Sequence, residues 1–292
     1  MTLQQLKYFQ LACKYKNITR AAEELHVSQP SITLAIKNLE GEFNVSLVRR
    51  GKTGFLLTES GEEFLKMADK LLDHAKSVEM RMRDVGNREI HVRLGMPPML
   101  GAVLLPNLHA RFAMDFPSIR FDITENGKYR LERLLDDNLI DLAFLPHGEG
   151  VFSSDYESIP IGSYQVVCCV NRENPLAELK EVKASDLAGE RLVLFDEGFF
   201  SSKRVLDVFE EAGVPPHISH RTSQLSTVKA LVKKNLAVGF LFENLLENEG
   251  ELVGVPIAPS VYTGASLVWK KKLRLSSSMR LYIDYIRSQA ER

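Results

Sequence analysis

Hydrogen-bonding side chains crowd one short stretch of this chain: Ser28, Gln29, Ser31 and Thr33, with Lys37 a turn further on. Such an amide can pair bidentately with adenine, hydroxyls can serve either role at a base edge, and a lysine reaches phosphate. Arg49, Arg50 and Lys52, set around Gly51 and Gly54, add the point charges that a polyanion would meet. A second group, Ser201, Ser202, Ser226 and Thr227, falls near the expected starts of two helices, where hydroxyls and free N–H groups can hold an anion or serve simply as caps. The other reactive residues form no catalytic or metal-binding set. GxGxxG, phosphate-loop, GxSxG and HExxH patterns are absent, and His217 and His220, three apart around an expected strand, point to opposite faces. No catalysis, cofactor or metal is expected. Cys168 and Cys169, adjacent in an apolar strand, leave thiol-based redox sensing as the alternative chemistry, although buried thiols are usually inert.

The elements around the first group are legible from caps and periods. Thr2 with Gln5 predicts a capped helix over 3–16 on the stripe Leu3, Leu6, Phe9, Leu11, Ala12, Tyr15. Thr19 is expected to cap a short helix over 20–25, in which Ala21 and Ala22 allow close approach. After a tight turn, Ser28 is expected to cap a third helix, with Pro30 harmless in its first turn and Ile32, Ala35, Ile36 and Leu39 on one face. That is a helix-turn-helix pattern with Gln29, Ser31, Thr33, Leu34 and Lys37 facing outward. Residues 47–57 read as two short strands around a basic glycine turn, a wing suited to phosphate or minor-groove contact.

Charge agrees with this division. Residues 1–58 hold eight Lys/Arg against four Glu, while the whole 292-residue chain has a net charge of −1. A basic head on an acidic body is expected to meet nucleic acid. No run of about 18 apolar residues and no secretory pattern occurs, so a cytoplasmic protein without a membrane partner is expected. From 62 to 85 no Pro or Gly intervenes, and Phe64, Ala68, Leu71, Ala75, Val78, Met82 and Val85 step alternately by four and three. A 3.5-residue repeat predicts a coiled-coil seam, hence a homodimer.

From residue 89 the periods alternate between strand and helix: strands at 90–95, 119–124, 142–145, 165–170, 191–195, 218–221, 238–241 and 267–269, and helices at 100–116, 129–138, 201–212, 225–234 and 279–288. These predict two α/β lobes, the first about 89–161 with 267–292, the second about 162–266. Ligands of open α/β sheets sit beyond the carboxyl ends of strands. The expected rim therefore includes Pro98, Met99, Glu125, Asn126, His147, Phe199, Phe200, Ser201, Ser202, Ser226 and Thr227.

The head, with AAEEL, VSQPS, IKNLE and LTESG in order, resembles the DNA-binding domain of LysR-type transcriptional regulators over its whole length. RFAMDFPSIRFDI, LIDLAFL and LVKKNLAVGFL resemble that family's effector domain more loosely. Leu34 stands where the family often has a basic or long polar residue, Val48 where it usually has Phe, and Pro97-Pro98-Met99 where it often offers hydroxyls. The resemblance implies an α/β chain made of a winged helix-turn-helix (1–58), a linker and dimerisation helix (59–88) and a two-lobed effector-binding domain (89–292) of the type 2 periplasmic-binding-protein fold. It further implies double-stranded DNA with an interrupted dyad operator as partner, contacted through Thr19, Ser28, Gln29, Pro30, Ser31, Thr33, Leu34, Lys37, Arg49, Arg50 and Lys52. Its other implied partners are a small organic anion between the lobes, further copies of itself as homodimer or homotetramer, and RNA polymerase. The alternatives are a redox-sensing regulator, and a ligand-binding protein or enzyme with an incidental helix-turn-helix.

Overall fold

The computed structural model describes residues 1–51, 54–87, 91–148 and 152–290, and the chain forms two compact units, Met1–Asn87 and Arg88–Arg292. In the first unit, α1 (Leu3–Tyr15) opens on a capping box: Thr2 Oγ1 accepts from the Gln5 N–H at 3.2 Å, and Gln5 Oε1 accepts from the Thr2 N–H at 2.8 Å. The next cap differs from expectation. Asn17, not Thr19, precedes α2 (Ile18–Glu24), its Oδ1 accepting from the Arg20 N–H at 3.1 Å, because Asn17 is the last extended residue and Thr19 already lies in the first turn. His26 makes the tight turn in the left-handed region (φ 53°), and α3 (Gln29–Phe43) follows. Ser28 occupies the N-cap position, but its hydroxyl pairs with Ser31 Oγ at 2.8 Å instead of capping an N–H.

The wing is β1 (Val48–Gly51) antiparallel to β2 (Gly54–Leu57). Thr58 then starts α4 (Glu59–Asn87), accepting from the Gly61 N–H at 3.0 Å while donating to Ser46 O at 2.6 Å. Gly61 is obligatory here, because a Cβ would collide with the Leu47 carbonyl. Phe9, Ala12, Ile32, Ile36, Leu39 and Leu47 form the core of the unit. Two of the expected seam residues join it: Phe64 stacks edge-on against Phe9 at 5.3 Å, and Ala68 is buried. The base of α4 is thus used for packing on its own head. The later positions Leu71, Val78 and Met82 are 46%, 50% and 63% exposed.

In the second unit, β3 (His91–Met96), β4 (Arg120–Glu125) and β5 (Leu142–His147) are parallel. Their crossovers are α5 (Pro98–Leu104), a π turn (Leu105–His109) and α6 (Ala110–Asp115), then α7 (Lys128–Asp136). The single helix expected over 100–116 is interrupted because Pro106, lacking an N–H, cannot continue the i→i−4 ladder. Two long strands then run through both lobes: β6 (Tyr156–Asn171) and β11 (Leu252–Lys270), antiparallel along almost their whole length. Between them in sequence come β7 (Val182–Lys183), β8 (Leu192–Phe195), α8 (Phe200–Glu211), β9 (Ile218–Thr222), α9 (Leu225–Lys233) and β10 (Gly239–Phe242), and α10 (Ser277–Ala290) closes the chain.

Strand order is β10-β6-β11-β5-β3-β4, with β7 on β11 and the parallel pair β8-β9 beside them. β11 pairs with β5 from Gly264 onward, so first-lobe pairing starts before residue 267. Arg93 and Asp141 fasten β3 to the approach to β5 by a buried bidentate ion pair, at 2.9 Å (Nε–Oδ2) and 2.6 Å (Nη2–Oδ1).

Candidate nucleic-acid interface and inter-lobe cleft

Helical periodicity turns Ile32, Ala35, Ile36 and Leu39 inward and leaves Ser28, Gln29, Pro30, Ser31, Leu34 and Lys37 exposed on the other face of α3. The Gln29 side-chain amide at the first turn has no hydrogen-bond partner among the described residues, whereas the Thr33 hydroxyl donates to Gln29 O at 3.2 Å and keeps only its acceptor side for a base. Leu34 is 59% exposed, which suits a thymine methyl better than a phosphate. Thr19 is exposed at the start of α2, and Arg49 is exposed on the wing. The Arg50 side chain and Lys52 lie outside the described residues, as does the Val85 side chain.

One residue of this surface was missed from sequence. Glu40 Oε1 accepts from the Leu47 and Val48 N–H groups at 2.8 and 3.2 Å, so a carboxylate of α3 fixes where the wing begins. The signal was an acidic residue one helical turn before the end of α3, where the helix dipole would not favour it.

In the second unit an open cleft of about 1100 Å³ lies at the carboxyl ends of the strands. Pro98, Glu125 and Asn126 of the first lobe line it opposite Asp196, Phe199, Gln224 and Ser226 of the second, so part of the expected rim comes together here. The rest does not. Ser202 is buried and its hydroxyl donates to Phe195 O at 2.8 Å. Thr227 donates to Gln224 Oε1 at 3.0 Å, a local bond within the first turn of α9. His147 is held by Ser266 Oγ at 3.0 Å and Gly148 O at 2.9 Å, and borders a second groove of about 1220 Å³.

Met99, Phe200 and Ser201 instead wall a small cavity between the lobes, which Phe199 borders as well. The two lobes also touch directly. A Cβ on Gly127, at the start of α7, would collide with the Gly198 carbonyl, and the Lys128 ammonium stands 5.0 Å over the Phe200 ring.

Electrostatics alter the expectation of an anion. Lys229, the one lysine among the described residues that line the cleft, bonds Glu249 at 2.9 Å and Leu245 O at 3.0 Å, and hydrogen bonds from Lys233 and Lys229 hold Glu249 below the usual carboxylate range. Glu125 and Asp196 face the same space. Of the four hydroxyls expected to hold an anion, Ser226 lines the open cleft, Ser201 walls the small cavity, and Ser202 and Thr227 are bonded within the second lobe. The thiols are equally withdrawn: burial raises Cys168 and pushes Cys169 up to about 12, so neither is a thiolate near neutrality. Among the described residues no group of His, Cys, Asp and Glu could hold a metal ion, and no helix is long and apolar enough to cross a membrane.

Comparison with known proteins assigns this architecture. Residues 3–62 match the bacterial regulatory helix-turn-helix protein, lysR family, and residues 86–291 match the LysR substrate binding domain. The chain belongs to the LysR family of transcriptional regulators. It is 31% identical to the transcriptional dual regulator GltC of Bacillus subtilis (strain 168), over 98% of this chain and 96% of that protein. Among solved structures it is similar in fold to CbnR, a LysR family transcriptional regulator, with 23% identity, a TM-score of 0.70 and 99% of each chain covered. Full-length CbnR complexed with its target DNA gives 24% identity and a TM-score of 0.66, covering 99% of this chain and 100% of that one. The chain is therefore a DNA-binding transcriptional regulator with a helix-turn-helix head and an effector-binding domain.

Proposed function

We propose that the regulator reads an interrupted dyad operator through the outer face of α3, in a homodimer joined along Leu71, Val78 and Met82 of α4, and that a small molecule lodged between the lobes sets its affinity for that operator. The observation that carries the reading is the two-sided α3: apolar residues locked in the head core, and Gln29, Ser31, Leu34 and Lys37 presented together on the other side, beside a wing braced by Glu40. Gln29 supplies base recognition, Lys37 and Arg49 supply phosphate contacts, and the wing sets their spacing. We assign the protein to the cytoplasm, give it no catalytic step, and take contact with RNA polymerase at the promoter as the output.

A ligand acts here only through unequal affinity for two arrangements of the lobes, a coupling of about 1–3 kcal/mol in typical cases. The test is selection of genomic fragments on the purified protein, followed by footprinting. Two protected half-sites about one or more helical turns apart support the reading, and protection without sequence preference overturns it.

A further inference from the structure

Leu34 stands in the second turn of α3 and is 59% exposed. A lone leucine on an arbitrary surface means little, but this one lies in the half of the helix from which a recognition helix reaches base edges. Side chains of a helix tilt toward its N-terminus, which carries Leu34 toward the turn of Pro30 and Ser31 and the end where Gln29 stands. The hydroxyls around it are engaged locally: Ser28 Oγ and Ser31 Oγ pair at 2.8 Å, and Thr33 donates to Gln29 O. On this stretch of α3 no other large apolar side chain is exposed, and Ser31 and Lys37, three residues to either side, are polar and basic. Such a face suits a polyanion better than an apolar protein partner.

In the major groove a leucine can neither donate nor accept. Laid against the N6 and N7 of adenine, the O6 and N7 of guanine or the N4 of cytosine, it would strip water from a polar group and leave that group unpaired. The one apolar group that an unmodified base pair presents there is the C5-methyl of thymine. We propose that Leu34 reads this methyl group, on a thymine about two base pairs from the pair that Gln29 contacts, and that 5-methylcytosine, with the same group at the same ring position, is bound there in preference to cytosine. The inference rests on the operator reading above and specifies one position of the half-site. The spacing follows from the helix: five residues at about 1.5 Å each separate the two contacts by about 7.5 Å along α3, against about 3.4 Å per base pair. A basic residue at this position would add a phosphate contact that carries no sequence information, whereas the leucine adds selectivity without charge.

The test uses the full-length protein and the operator recovered by fragment selection, with each thymine of one half-site replaced in turn by deoxyuridine, which lacks only the methyl. Fluorescence anisotropy is expected to find a position at which the replacement weakens wild-type binding about fourfold, the worth of one buried methyl group. At that position 5-methyl-dC is expected to bind about fourfold more tightly than dC. Leu34→Ala, which a helix surface accepts without loss of folding, is expected to distinguish neither pair of bases. Leu34→Met, apolar and of similar volume, is expected to keep both preferences. A half-site without thymine, indifference of the wild-type protein to every deoxyuridine, or a deoxyuridine effect that persists undiminished in Leu34→Ala overturns the inference. Each of those outcomes leaves the operator reading in place as long as the selected operator is still preferred to random duplex. No such preference in the wild-type protein would overturn both.

Discussion

Gln29 and Arg49 represent two kinds of contact with DNA, and replacing each separates them. Gln29→Ala is expected to cost about 1–3 kcal/mol on the selected operator and little on random duplex, because a base edge is lost while phosphate contacts remain. Arg49→Ala should weaken both alike and reduce the slope of log affinity against log salt by about 1. Fluorescence anisotropy across a salt series reads both, and equal losses for Gln29→Ala on the two DNAs would remove its reading role. Ser202 illustrates the opposite case, a residue whose exposure to ligand was expected and whose role is internal. With its hydroxyl bonded to Phe195 O inside the second lobe, Ser202→Ala should lower unfolding free energy by about 1 kcal/mol in a urea titration and leave effector affinity intact.

The helix α4 serves two partners along its length. Its first turns hold the head through Phe64 and Ala68, and its middle presents Leu71, Val78 and Met82 to solvent. Val78→Asp should therefore dissociate the dimer without unfolding the head, since a carboxylate pressed into an apolar seam is desolvated without a counter-ion. Sedimentation velocity checks this, and an unchanged mass would mean that the exposed stripe is not the seam. How far such elements can be read from sequence depends on how local their determinants are. The Thr2–Gln5 box and the inward face of α3 are set within a few residues, and both were legible. The first half of β6 and most of β11 were not, because Pro160, Gly162, Pro256, Pro259 and Gly264 interrupt alternation in strands whose pairing comes from residues roughly a hundred positions away. The rim was legible as positions at strand ends. Which hydroxyls face the ligand was not, because Ser202 and Thr227 are bonded to acceptors that only the folded chain supplies.

At the scale of the whole effector domain, pH acts through His109. Its imidazole is packed against Phe121 and Tyr282, with Nδ1 3.2 Å from the Tyr282 hydroxyl, and burial lowers its pKa from the usual 6.5. The unfolded chain then takes up a proton below about pH 6.5 while the folded chain still refuses it, so stability is full above that pH and falls as pH drops through it. Urea midpoints at pH 7.5 and 5.5 should show this loss, reduced in His109→Gln, and an undiminished loss in that variant would place the titration elsewhere. The contact of Gly127 with Gly198 bears on time as well as on affinity. The two lobes meet there backbone to backbone, so a molecule whose release needs the lobes to separate leaves no faster than that collective motion of microseconds to milliseconds or slower, however weak its own contacts are. The regulator would then hold its last signal for the lifetime of the closed domain. Any side chain at residue 127 would shorten that memory, trading persistence for rapid response.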